Sequence, residues 1–161
     1  EEGSVVAGSF AGYGQLQGRY PPGACGDTFL VLKRSPKAAN VVSQPLHGLQ
    51  QGRLYSVKLI TGDYADLQAG RTRKQVQAVT LQIAAGEVLP GAFSYPFRSA
   101  RGPKPFTMET PFWMTYHWLQ FRPTGPTATL SICDWAKPGE PGGPLGQQTM
   151  VSFVEVQPVL E

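Results

Sequence analysis

Nineteen glycines and fifteen prolines, about one residue in five, punctuate a chain of 161 residues. In a helix interior glycine costs about 1 kcal/mol and proline about 3 kcal/mol relative to alanine, so a helix bundle is excluded. The glycines keep no three-residue period, which excludes a collagen helix. Hydrophobic residues make up 41% and aromatics 11% of the chain, enough to bury a core and too many for a disordered tail. What remains is a loop-rich, all-β domain in which short strands alternate with Gly/Pro turns. The length fits one domain over residues 1–161. No run of about 18 apolar residues is present, so no membrane span is expected.

The strands can be placed by periodicity. Phe29 to Leu32 is a short continuous apolar run, which predicts burial on both faces. Asn40 to Leu46 follows, with Pro45 suggesting an edge. In Leu54 to Thr61, Tyr55, Val57 and Leu59 share one face, while Ser56 and Lys58 share the other. Val76 to Ala84 reads as a strand with Val79, Leu81 and Ile83 inward, closed by a hairpin-like turn at Ala85-Gly86-Glu87. Gly62 to Lys74 reads as a long connection. Pro90 to Pro111 reads as a proline-punctuated stretch, within which Phe93, Tyr95 and Phe97 alternate. Phe112 to Arg122 is the most aromatic segment. Its apolar phase shifts between Trp118 and Leu119, which suggests a bulge. Trp113 and Trp118 lie five apart, hence on opposite faces, with Trp118 expected in the core. Thr127 to Asp134 and Met150 to Leu160 complete the set. About eight or nine strands at this spacing predict a jelly-roll or Greek-key β-sandwich.

The formal charge is +3 with 16% charged residues. Basic residues gather at Arg71, Arg73 and Lys74, with Arg98, Arg101 and Lys104 further on. A nucleic-acid binder carries a denser basic stripe interleaved with aromatics, so these read as solvated loop charges and no nucleic-acid partner is expected. Cys25 and Cys133 fit either one disulfide closing a long loop or two separate buried thiols.

Enzymatic motifs are missing. There is no Gly-x-Ser-x-Gly elbow, no His-Glu-x-x-His and no phosphate loop. His47 and His117 are far apart, and His117 between Tyr116 and Trp118 reads as a packed or surface imidazole rather than a general base. A hydrolase would need Asp63, Asp66 or Asp134 to converge on a pocket. The expectation is therefore a non-enzyme.

The aromatics carry more information. A sugar presents an apolar C–H face and a fringe of hydroxyls, so an exposed Trp or Tyr ring beside Asp, Gln or Arg suits it. Tyr13, Tyr20, Tyr64, Tyr95 and Trp135 fall in predicted loops, with Arg19 beside Tyr20, Asp63 beside Tyr64, Arg98 near Tyr95 and Asp134 beside Trp135. Taken singly, each ring reads more readily as packing over the end of a sandwich. The predicted ligand-binding set is Tyr13, Tyr20, Tyr64, Asp63, Trp113, Asp134, Trp135 and Arg98. The loop Pro138 to Gly146 has a shaped backbone, as either a rigid connection or one wall of a site beside Asp134-Trp135.

Gln44, Leu46, Leu49, Gly52, Tyr55 and Val57 stand in a pattern Q-x-L-x-x-L-x-x-G-x-x-Y-x-V. With Trp113 and Phe121, the run Thr129 to Ile132 and the closing Val154-Glu155-Val156, the chain from Gly26 onward resembles galactose-binding-like jelly rolls, many of them non-catalytic carbohydrate-binding modules. The resemblance implies a secreted, extracellular or periplasmic module that recognises polysaccharide or oligosaccharide and holds an attached catalytic domain near it. It also implies a structural calcium near the chain ends, with Glu2 and Glu155 as candidate ligands. The alternative is a structural or protein-interaction β-sandwich of a larger secreted protein.

Overall fold

Alternation in the sequence becomes two antiparallel sheets. The computed structural model describes residues 4–16, 27–71, 73–99 and 106–160. Among these lie ten strands: β1 (Ser4–Ser9), β2 (Thr28–Lys33), β3 (Val41–His47), β4 (Tyr55–Asp63), β5 (Thr80–Ala84), β6 (Gly86–Val88), β7 (Phe93–Ser99), β8 (Phe112–Pro123), β9 (Thr127–Cys133) and β10 (Gln148–Pro158). Two short helices accompany them, α1 (Tyr13–Leu16) and α2 (Tyr64–Gln68). The larger sheet runs β1-β2-β10-β4-β8-β6, with β7 also on β8, and the smaller runs β3-β9-β5. No described helix is long and apolar enough to cross a membrane.

The large sheet carries a core on each face. On one face Leu32, Val57, Leu59, Leu119 and Phe121 meet Ala128, Leu130 and Ile132 of the small sheet. On the other, Phe29, Val31, Ile60, Phe112, Met114 and Met150 are covered by Tyr13, Leu67 of α2 and Phe106. Each fully buried aliphatic or aromatic side chain contributes about 1.5–3 kcal/mol. The second core spans only one end of the sheet. Burial in β4 therefore alternates as far as Lys58 and then becomes continuous from Leu59 to Asp63.

That half-covered face explains the aromatic segment. Its apolar phase changes because both faces of β8 are buried at Met114 and Thr115 but only one at Leu119 and Phe121. The ladder itself is unbroken, from Tyr55↔Phe121 to Thr61↔Thr115. The irregularity predicted for β8 lies instead in β10, between Ser152 and Glu155, where Phe153 has φ 52°.

Three other expectations are revised. Ala85 joins strands of different sheets rather than a hairpin, turning at φ 59°. Gly86 is required there, since a Cβ would stand 2.7 Å from Ile83 and 3.1 Å from Phe121. The Gly62 to Lys74 connection contains the end of β4 and α2, which is capped by the Asp63 side chain accepting from the Asp66 N–H. The proline-punctuated stretch contains β7, which among the described residues pairs only with β8 and so tolerates Pro96 on its other edge.

Candidate functional site

Beyond the second core, the outer face of the large sheet carries a block of aromatic rings. Register places Phe93 opposite Trp118 and Tyr95 opposite Tyr116, and the two-residue period of each strand puts all four rings on one face. Phe93 stacks on Trp118 with centroids 5.1 Å apart and planes 26° apart. Phe93 and Tyr95 stack at 5.9 Å and 23°, and Tyr95 lies 5.3 Å from Tyr116. Phe93 and Tyr95 are 45% and 47% exposed, while Tyr116 and Trp118 are half-buried.

Polar groups border the rings. Lys58 lies opposite Trp118 on β4 and forms an ion pair of 3.0 Å with Glu155 on β10. Ser56 lies opposite Gln120 on the next row of the same face. Burial pushes the Tyr116 hydroxyl above its ordinary pKa, and Lys58 opposes that shift. The arrangement is a flat apolar platform with donors and acceptors along one side.

Behind the platform, on the inner face, His117 is 2% exposed. Its Nε2 lies 2.8 Å from Thr61 Oγ1 of β4 and its Nδ1 lies 2.7 Å from Ser94 Oγ of β7. Burial lowers its pKa from 6.5 to about 4. A neutral imidazole so placed ties three strands together and is a weak general base near neutrality.

The residues singled out from the sequence fall mostly into the framework. Tyr13 is 0% exposed, its hydroxyl lies 3.1 Å from Ser152 Oγ, and burial pushes its pKa to about 12. Asp134 is 0% exposed, accepting from the Asn40 backbone N–H at 2.8 Å and from Asn40 Nδ2 at 2.7 Å. Arg34, equally buried, donates from Nε to the Asp134 carbonyl at 2.8 Å and from Nη2 to the Ala78 carbonyl at 2.7 Å. Arg34 also donates to Gln147 Oε1, and Gln147 Nε2 donates to Asp63 Oδ2 at 3.0 Å. Burial lowers the Arg34 pKa, opposed by Asp134 and Asp63. Asp63 and Asp134 are thus linked through Gln147 and Arg34. Asp66 is held by two Arg73 hydrogen bonds of 2.7 Å and by Arg71 at 3.1 Å.

The Pro-Gly loop closes on the same arginine. The Gly146 N–H donates to the Arg34 carbonyl at 2.8 Å, and the Arg34 N–H to the Gln147 carbonyl at 2.9 Å. Trp135 is half-buried and donates its indole N–H to the Ser35 carbonyl at 3.1 Å. Tyr64 packs edge-on against Phe29 at 5.5 Å. Trp113 is half-buried under Lys74, whose Nζ lies 5.4 Å from the ring centroid. Arg98 is exposed and pairs in register with Trp113, on the face opposite the platform. Trp118, expected in the core, stands on the open face. Tyr20, Glu2 and Cys25 lie outside the described residues. Glu155 is engaged by Lys58, Cys133 is a free thiol, and no group of three or more potential metal ligands occurs among the described residues.

The structure thus brings Asp63, Tyr64, Asp134 and Trp135 to one end of the sandwich as scaffold. It gathers Phe93, Tyr95, Tyr116 and Trp118 elsewhere as an exposed surface. The only sequence signal for that surface was the Phe93, Tyr95, Phe97 alternation, which becomes informative once β7 is recognised as a strand beside β8. Comparison with protein-family models, with curated proteins and with solved structures returned no match.

Proposed function

We propose that this chain is a non-catalytic carbohydrate-binding module of galactose-binding-like jelly-roll type, which takes glycan on the Phe93–Tyr95–Tyr116–Trp118 platform. The observation that carries the reading is the exposed, stacked ring block of Phe93 on Trp118. A sugar ring buries its C–H face on such a surface while its hydroxyls reach Lys58, Glu155, Ser56 and Gln120 at the rim. The open, flat geometry suits the interior of a polysaccharide chain. In this reading the module acts outside the cytoplasm within a larger protein and keeps an attached catalytic domain near its polymer. A protein partner would be the alternative occupant of the same face, and the polar border favours sugar over an apolar protein surface.

Affinity electrophoresis against a panel of soluble polysaccharides tests it. Retardation on at least one polymer, lost in Trp118→Ala, is the expected result. Free migration on every polymer contradicts the reading.

A further inference from the structure

Register carries one row of side chains across four neighbouring strands. Phe93 on β7 opposes Trp118 on β8, Trp118 opposes Lys58 on β4, and Lys58 opposes Glu155 on β10. All four stand on the platform's face, because residues paired across an antiparallel ladder point to the same side. Four strands at about 4.8 Å spacing make the row about 14 Å long, the length of a short oligosaccharide rather than of one sugar ring. Half of the row is a stacked ring pair with centroids 5.1 Å apart, and half is an ion pair of 3.0 Å. The two halves adjoin. Burial raises the Tyr116 pKa, and the charges of Lys58 and Glu155 both act on that hydroxyl, Lys58 lowering its pKa and Glu155 raising it.

The fold closes one direction on this face. The neighbouring row runs Tyr95, Tyr116, Ile60, Ser152, and its last two members are buried, Ile60 within the second core. Further along the strands, Phe97 packs against that core and Met114 is 1% exposed. A chain laid along β7 and β8 from Phe93 and Trp118 therefore runs into the covering layer. A chain laid across the strands stays on exposed or half-buried side chains from Phe93 to Glu155. The second core then banks one flank, and Gln120, Ser56 and Gln157 form the other.

The ion pair defines what sits at its end of the row. Lys58 Nζ donates to Glu155 Oε2, so the ammonium keeps two further donors and the carboxylate keeps Oε1 as an acceptor. Together they match two adjacent sugar hydroxyls, one accepting from Lys58 and one donating to Glu155, through charge-assisted hydrogen bonds. A uronate at this place is repelled by Glu155, and an amino sugar by Lys58. We propose that the polymer crosses the strands, stacking one sugar on Phe93 and Trp118 and presenting the vicinal hydroxyls of a further sugar to the Lys58–Glu155 pair. The substrate class is then an uncharged polysaccharide with free vicinal hydroxyls. The proposal rests on the glycan reading of the platform and adds to it a chain direction and a second point of contact.

Nuclear magnetic resonance titration with β-1,4-linked gluco-, xylo- and manno-oligosaccharides tests it. The probes are the dimer and the tetramer of each series, with tetragalacturonate as the charged probe. In at least one series the tetramer should bind at least about tenfold more tightly than the dimer. Glu155→Gln and Lys58→Met, each with the parent's circular dichroism, should cut that gain to about threefold or less, whereas Trp118→Ala should weaken dimer and tetramer alike. Tetragalacturonate should bind the parent at least about tenfold more weakly than that tetramer. Equal affinity for dimer and tetramer in every series, a gain that survives both substitutions, or tetragalacturonate as tight as the neutral tetramers overturns the proposal and leaves the platform reading standing. Failure of every probe to bind overturns both.

Discussion

Trp118 on β8 and Phe93 on β7 are directly opposed across an antiparallel pair, with ring centroids 5.1 Å apart on the open face of the large sheet. Cross-strand aromatic pairs of this kind are worth about 0.5–1.5 kcal/mol beyond their buried area. At the covered end of the same sheet, the equivalent positions Phe112 and Met114 lie in the second core. The platform is therefore the uncovered half of a face whose other half is packed.

The Lys58–Glu155 pair borders the rings with side chains 26% and 25% exposed. Partly solvated pairs contribute about 0–1 kcal/mol to stability. Glu155→Gln should leave the denaturant midpoint nearly unchanged and weaken glycan binding several-fold, measured by titration. A large stability loss with unaltered affinity would assign the pair to the scaffold.

His117 makes stability depend on pH. Its pKa falls from 6.5 in the unfolded chain to about 4 in the fold through burial. Between these values the unfolded state binds more protons, so stability is present above about pH 6.5 and falls as pH is lowered toward 4. The loss should reach about 3 kcal/mol. Urea titrations at pH 7 and pH 4 measure it. His117→Gln should lower stability at pH 7 and remove most of this extra loss on acidification.

Asp134 belongs to the scaffold. It is buried with Arg34 and satisfies the Asn40 side chain and backbone N–H. Asp134→Ala leaves the Asn40 side chain and backbone N–H without their acceptor and removes a charge that favours the buried Arg34 guanidinium, and should cost about 1–3 kcal/mol in chemical denaturation. At a temperature where the variant is folded, its glycan affinity should match that of the parent. A selective affinity loss with full stability would place Asp134 in a binding site instead.

Gly86→Ala should also be costly. A Cβ there meets Ile83 at 2.7 Å and Phe121 at 3.1 Å, both packed side chains. Overpacking of this type costs about 1–3 kcal/mol. Thermal denaturation should show a lowered midpoint, and an unchanged midpoint would mean that the β5–β6 corner relaxes freely.

Much of the sandwich was legible from alternation. Tyr55, Val57 and Leu59 point to one face as their spacing requires, and all three are buried against the other sheet. β7 was obscured by Pro96, whose missing N–H is acceptable because, among the described residues, the strand pairs only with β8. Trp118 looked like a core residue because the segment around it is apolar on both sides. Its exposure depends on how far the second core extends, which is decided by Tyr13, Leu67 and Phe106 far away in sequence. Asp134 and Trp135 looked like a ligand pair through adjacency. Their partners Asn40 and Ser35 are roughly one hundred residues distant and leave no local signal.

The central claim is that the ring platform binds glycan by stacking. Titration of the parent chain and of Phe93→Ala and Trp118→Ala, against whichever polysaccharide retards the parent, measures this most directly. Each substitution should weaken binding at least about tenfold while the far-ultraviolet circular dichroism stays that of the parent. Unchanged affinity in both variants would contradict the account.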